Sequence, residues 1–163
     1  MCAQRLAALA PDVQPPPELE AATLNHLHLR VNDLDVSQRF YEQHFGWEPI
    51  YEVPSKPLAA TQKKSRGSEQ FRRLRFMRDH RGFLLVLELH PDKSPMPSWF
   101  HLGFQLSAQE AVLRAAAYFK KQGITLVGPL RDSPGYTTFA VEDPDGYALQ
   151  IFWDAENPEA APD

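Results

Sequence analysis

The chain repeats one order of predicted elements twice, and this repeat constrains its fold more than any other feature. Residues 24–90 contain a strand, a helix and three further strands, and residues 99–153 contain the same five elements in the same order. An ordered repeat of this length indicates two copies of one supersecondary unit. We therefore predict an α+β fold in which two βαβββ modules form one domain over residues 24–153.

Aligning the two modules pairs their polar residues. The segment LNHLHLRV at the start of the first module lies over WFHLGFQL in the second, which pairs His26 with His101. The segment LVLELH lies over YALQIF, which pairs Glu88 with Gln150. The alignment predicts that the members of each pair occupy equivalent places in the two modules.

The first predicted helix has sequence signals at both ends. Asp33 or Asp35 is expected to cap this helix, which continues through VSQRFYEQHF. Gly46 is expected to end it. Strands are predicted near 48–53, 70–78 and 83–90. The helix has a roughly continuous apolar stripe of three side chains, Val36, Phe40 and Phe45.

The second helix is predicted to begin with the capping box Ser107-Ala-Gln-Glu110 and to end at Gly123. Three strands are expected after it, near residues 124–130, 136–141 and 147–153. The last two are joined by DPDG, a strong turn signal.

Side chains alternate between the two faces of a strand, so the apolar residues of each strand define its packed face. In LNHLHLRV, this leaves His26, His28 and Arg30 together on the opposite face. The same alternation places Glu88, His101 and Gln150 on polar faces, among apolar neighbours. Such a face suits the inner wall of a curved sheet whose other side is covered by helices. Two imidazoles, a carboxylate and an amide oxygen offer four ligands for a divalent cation.

Composition excludes several classes of protein. A net charge of −4 has no signature of nucleic-acid binding, and no apolar run approaches the roughly 20 residues that span a bilayer. Cys2 is the only cysteine, which excludes an intrachain disulfide and suits a reducing compartment. Residues 1–23 and 154–163 are predicted to be tails because they bury little apolar surface. We expect a cytoplasmic globular protein with no membrane partner.

Two stretches resemble a known family. LNHLHLRVNDLDVSQRFYEQHFG is similar to the opening of a vicinal oxygen chelate (VOC) domain, and VEDPDGYALQIF is similar to its closing signature. This superfamily contains glyoxalases, bleomycin-resistance proteins and extradiol dioxygenases. The resemblance, which covers about residues 24–153, implies paired modules that form a cupped eight-stranded mixed sheet with helices on its outer face. It also implies a metal or ligand site inside the cup, and a homodimer.

The resemblance places the family's metal positions on His26, Glu88, His101 and Gln150. The last position is usually a glutamate, and a glutamine there removes one negative charge and a proton acceptor. Glu88 is then the expected catalytic residue. The candidate substrate-binding residues are His28, Arg30, Trp99 and Phe152.

The resemblance implies a divalent-metal-dependent lyase, isomerase or dioxygenase, using Zn, Mn, Ni, Co or Fe. The metal would hold the oxygens of a small substrate and stabilise an enolate or oxyanion. Glyoxalase I is disfavoured because LHPDKS and PSWF replace its glutathione-site segments. An extradiol dioxygenase is disfavoured because Gln150 stands where its carboxylate is expected.

The alternative is a metal-free small-molecule or antibiotic binder similar to bleomycin-resistance proteins. Its aromatic walls would come from Trp47, Phe76, Trp99 and Phe152. Fold alone cannot separate an enzyme from such a binder. Because an unpaired buried carboxylate is costly, Glu88 requires either a metal or a cationic partner.

Overall fold

The computed structural model describes residues 23–55, 72–90, 97 and 99–156. The first module contains β1 His26–Val31, α1 Leu34–Phe45, β2 Glu48–Ser55, β3 Arg72–Arg78 and β4 Leu84–Leu89. The second contains β5 His101–Gln105, α2 Gln109–Lys121, β6 Arg131–Ser133, β7 Tyr136–Glu142 and β8 Ala148–Asp154. The βαβββ repeat is confirmed. The predicted tails lie outside the described residues, apart from residue 23 and residues 154–156.

The eight strands form two four-stranded mixed sheets, in the orders β1-β4-β3-β2 and β5-β8-β7-β6. In each sheet the first strand is parallel to its neighbour, and the remaining pairs are antiparallel. The α+β class is therefore confirmed. Strands β1 and β5, which contain His26 and His101, lie at the edges of their sheets.

The two modules share one hydrophobic core. Leu29 and Leu87 of the first sheet lie in one buried cluster with Leu149 and Ile151 of the second sheet, and Val112 of α2 belongs to it as well. These are the side chains that alternation assigned to the packed faces of their strands. The candidate polar residues therefore lie on the face of each sheet that is turned away from this core.

Helix α1 begins and ends as predicted. The Asp33 side chain accepts hydrogen bonds from the backbone N–H groups of residues 35 and 36, and Gly46 has the left-handed φ of 66° that a helix-ending glycine adopts. The predicted apolar stripe is partly wrong, because Val36 is 39% exposed. The buried face of the helix consists of Leu34, Ser37 and Tyr41.

Two predictions for the second module are wrong. The N-cap of α2 is Ala108, which makes no side-chain cap bond, so the capping box at Ser107 does not form. The predicted strand at 124–130 is reduced to an isolated bridge between Leu126 and Val141. Gly128 has a φ of 77° and Pro129 has no N–H group, so the strand begins only at Arg131.

No helix in the described part of the chain is both long and apolar enough to cross a membrane.

Candidate metal and ligand site

The hydrogen bonds of two turns show which residues of the modules are equivalent. In the β3–β4 turn, Oδ1 of Asp79 accepts from the backbone N–H groups of residues 81 and 83, at 2.9 and 2.8 Å. In the β7–β8 turn, Oδ1 of Asp143 accepts from residues 145 and 147, again at 2.9 and 2.8 Å. Gly82 and Gly146 follow with positive φ. The two turns therefore superimpose with Asp79 on Asp143.

This equivalence corrects the predicted pairing of Glu88 with Gln150. Counting from the turns, Gln150 corresponds to Val86, and Glu88 corresponds to Phe152. Strand register agrees, since His26 pairs with Leu84 and His101 pairs with Ala148, each two residues after the turn glycine. A shift of two residues keeps each side chain on the same face, so alternation alone could not detect the error.

The structure gives Glu88 a cationic partner. Glu88 is buried, and its Oε2 lies 3.3 Å from Nε of Arg30 and 3.4 Å from Nε2 of His28. Both partners belong to β1, where Arg30 is the register partner of Glu88. Of the two partners that the sequence left open for this carboxylate, metal or cation, a cation is present.

Arg30 is also held through its backbone. The Tyr147 hydroxyl accepts from the Arg30 N–H at 3.1 Å and donates to the Arg30 carbonyl at 2.8 Å. Nη1 and Nη2 of the guanidinium have no partner among the residues described. Burial lowers the pKa of His28, an effect that the nearby Glu88 carboxylate opposes. This face of the first sheet thus offers a fixed guanidinium and a predominantly neutral imidazole at neutral pH.

A hydrogen bond at one ring nitrogen of His101 leaves the other ring nitrogen for a metal. Its Nδ1 lies 3.1 Å from the carbonyl oxygen of Trp99. A carbonyl only accepts, so in the neutral ring Nδ1 carries the proton and Nε2 has the lone pair. Metal-bound histidines are commonly oriented by such a bond from the second ring nitrogen.

Gln150 lies on the same face of the second sheet as His101. It pairs in register with Gly103, so the two side chains are diagonal neighbours on adjacent strands. Its Nε2 donates to the hydroxyls of Tyr136 and Thr138, at 3.0 and 3.1 Å. Sequence reasoning did not select these two residues, although alternation within YTTFAVE places both on the polar face.

The aromatic residues divide between the site and the core. Trp99 is 75% exposed at the entrance to β5, and the Phe152 ring lies over Gly103, where an added Cβ would meet it at 3.3 Å. Phe76 stacks on Tyr51, with ring centroids 4.5 Å apart. Trp47 is buried, and it lines the same cavity as His26 and Gly103.

Three of the predicted metal ligands, His26, Glu88 and His101, do not form one group within the described part of the chain. Among the residues described, no three His, Cys, Asp or Glu side chains form a group that could hold a metal ion, so Glu88 does not join the two histidines. His26 and His101 lie in different sheets, and both are exposed. A cavity of about 320 Å³ near His26 reaches Gly103 of the second sheet.

Comparison with known proteins agrees with this architecture. A family model described as the Glyoxalase/Bleomycin resistance protein/Dioxygenase superfamily matches residues 23–151. The uncharacterized protein PA2024 of Pseudomonas aeruginosa is 32% identical over 132 residues, which span 79% of this chain and 86% of that protein.

Solved structures of the same fold include fosfomycin resistance proteins. A glutamate-to-glutamine mutant of the fosfomycin resistance protein FosX from Listeria monocytogenes, complexed with Mn(II) and 1S,2S-dihydroxypropylphosphonic acid, matches with a TM-score of 0.61 and 21% identity. The match covers 82% of this chain and 92% of that one. A possible glyoxalase from Bacillus cereus matches with a TM-score of 0.58 and 25% identity, over 80% and 98% of the two chains.

Proposed function

Because this chain belongs to the Glyoxalase/Bleomycin resistance protein/Dioxygenase superfamily, we propose that it is a divalent-metal-dependent enzyme acting on a small, anionic, oxygen-bearing substrate. The observation that carries the proposal is the state of two side chains on one sheet face. The N–H groups of His101 and Gln150 are bonded to protein acceptors. The other ring nitrogen of His101 and the amide oxygen of Gln150 are thereby left to coordinate a cation.

We assign His26, His101 and Gln150 as the residues that hold the ion. Bound there, a divalent cation supplies Lewis-acid stabilisation of negative charge on a substrate oxygen. Three neutral donors leave the charge of the cation uncompensated, so the site favours an anionic substrate. The FosX structure with Mn(II) and a phosphonic acid supports this ligand class by likeness of fold. The identity of the metal in this chain is left open among Zn, Mn, Ni, Co and Fe.

Arg30 and His28 bind the anionic part of the substrate in this proposal. Glu88 holds the Arg30 guanidinium through Nε and leaves the two terminal nitrogens for the ligand. His28, whose pKa is lowered by burial, donates or accepts one hydrogen bond without adding a full charge. We therefore assign Glu88 to the orientation of Arg30 and not to the metal. Trp99 and Phe152 are proposed as apolar walls.

We further propose a homodimer in which each site combines His26 of one subunit with His101 and Gln150 of the other. The two histidines start edge strands, and each is preceded by an exposed apolar residue two positions earlier, Leu24 at 84% and Trp99 at 75% exposure. Exposed apolar residues at equivalent places on two edges suit a self-complementary interface. The single cysteine supports a cytoplasmic location.

Metal analysis of His26→Ala, His101→Ala and wild type, purified without chelator, tests the proposal. Each variant is expected to lose bound metal and to keep its fold. Co-expression of the two variants then distinguishes a shared site from one within a single chain. Random pairing makes about half of the dimers mixed, each with one intact site of two, so about a quarter of wild-type metal content should return.

No recovery on mixing would place the metal within one chain. Absence of metal from wild-type protein grown with all five metals would instead favour the metal-free binder that the sequence left open.

A further inference from the structure

Gln150 is held by two hydroxyl groups on the neighbouring strand. Its Nε2 donates to the Tyr136 hydroxyl at 3.0 Å and to Oγ1 of Thr138 at 3.1 Å. Tyr136 and Thr138 are two residues apart on β7, so both lie on the polar face with Gln150. The amide nitrogen has two protons, and each has one acceptor.

The Thr138 hydroxyl determines which end of the amide faces it. Oγ1 of Thr138 donates its only proton to the carbonyl oxygen of Ile151, at 3.2 Å. Thr138 is 8% exposed, so water does not readily replace this bond. A hydroxyl that already donates can only accept from Gln150, which turns the NH₂ group toward β7 and the Oε1 atom away from it. A glutamate would instead place an unprotonated oxygen against this hydroxyl.

The first module shows that the sheet does not itself require the Thr138 hydroxyl. By the equivalence of the two turns, Thr138 corresponds to Leu74, and Gln150 corresponds to Val86. An apolar pair thus occupies the equivalent positions in the first sheet. The polar pair occurs in the module in which position 150 is a proposed ligand.

We propose that Thr138 and Tyr136 are positioning residues that select an amide at position 150 and present its Oε1 to the cation. The inference rests on the proposed metal-dependent function. It adds that the sheet holds the glutamine as an uncharged metal ligand, so the negative charge at the site must come from the substrate. The chemical class is an anionic oxygen chelator, such as a phosphonate or hydroxamate.

Zn(II) titration of the full chain against a chromogenic chelator tests the role of the two hydroxyls. Thr138→Val and Tyr136→Phe are each expected to weaken Zn(II) binding by about three- to tenfold, the range of one lost hydrogen bond. Thr138→Ser keeps the hydroxyl and should restore wild-type affinity. Thr125→Val and Tyr118→Phe make the same chemical changes at exposed positions and serve as controls.

An NMR spectrum of the metal-free protein tests the hydrogen bonds of the Gln150 amide separately. The side-chain NH₂ signals of Gln150, identified by their loss in Gln150→Glu, should exchange slowly with solvent in wild type and several-fold faster in Thr138→Val. Unchanged exchange together with unchanged Zn(II) affinity in Thr138→Val would overturn the inference while leaving the metal function intact. Failure of wild type to bind any of Zn(II), Mn(II), Ni(II), Co(II) and Fe(II) in such titrations would overturn the proposed function and this inference with it.

Discussion

The hydroxyl of Tyr41 donates a hydrogen bond to Oδ2 of Asp143, at 2.9 Å, and thereby joins the two modules inside their common core. Tyr41 belongs to α1 and is 1% exposed, whereas Asp143 begins the β7–β8 turn and is 5% exposed. Oδ1 of Asp143 accepts the two backbone bonds that form the turn. One buried carboxylate therefore holds both the turn and the junction between modules.

Tyr41→Phe should lower the free energy of unfolding by about 1–3 kcal/mol, because a buried carboxylate loses one of its donors. Urea denaturation followed by far-UV circular dichroism measures the change. Tyr118→Phe removes an exposed hydroxyl, which contacts Nδ1 of His44, and should change stability by less than about 0.5 kcal/mol. Equal effects of the two substitutions would contradict a stabilising role for the Tyr41 bond.

Asp143→Asn should change how stability depends on pH. Burial raises the pKa of Asp143 above its usual value of 3.8, so the folded chain binds this proton more tightly than the unfolded chain. Stability from this group is therefore complete below the unfolded pKa and is lost as pH rises through the folded one. Asparagine does not titrate, so wild type should lose stability relative to the variant as pH rises from below 3.8 through the raised folded-state pKa. Parallel curves of unfolding free energy against pH would show that Asp143 does not make this contribution.

Ala108→Asp should stabilise the protein by about 1 kcal/mol, since α2 lacks a side-chain cap and residue 108 already has the extended backbone of an N-cap. Asp33→Ala in α1 is the matched opposite change and should destabilise by a similar amount. Thermal and urea unfolding of both variants measure the two effects. A loss of stability in Ala108→Asp would mean that the carboxylate cannot reach the first N–H groups of α2.

Gln150→Glu should tighten divalent metal binding and weaken binding of a simple anion, because a negative donor compensates part of the cation's charge. The gain is limited by Thr138, which has to turn its hydroxyl away from the Ile151 carbonyl to donate to the new carboxylate. Titration of Zn(II), and then of methylphosphonate, into both proteins measures the two effects. If neither affinity changes, Gln150 is not in the coordination shell.

Much of the fold follows from local patterns. The repeat predicted two βαβββ modules, and cap chemistry located the ends of α1, because a cap involves only neighbouring backbone groups. Alternation correctly separated packed from polar residues in β1, β5 and β8, whereas in β4 residues 85–88 are buried on both faces. The strand predicted at 124–130 failed because the left-handed Gly128 and the ring of Pro129 interrupt an otherwise apolar run. The prediction that Val36 is packed was wrong because a different face of α1 packs against the sheet.

The candidate site was predictable as a set of residues but not as a set of partners. Sequence alone determined that His26, His28, Arg30, Glu88, His101 and Gln150 lie on polar faces, since the side-chain period of two is a property of any strand. Only tertiary structure decided that Glu88 pairs with Arg30, that Val86 is the counterpart of Gln150, and that Thr138 orients the amide. These relationships depend on how neighbouring strands are aligned, and a slide of two residues moves every partner while leaving the pattern along each strand unchanged.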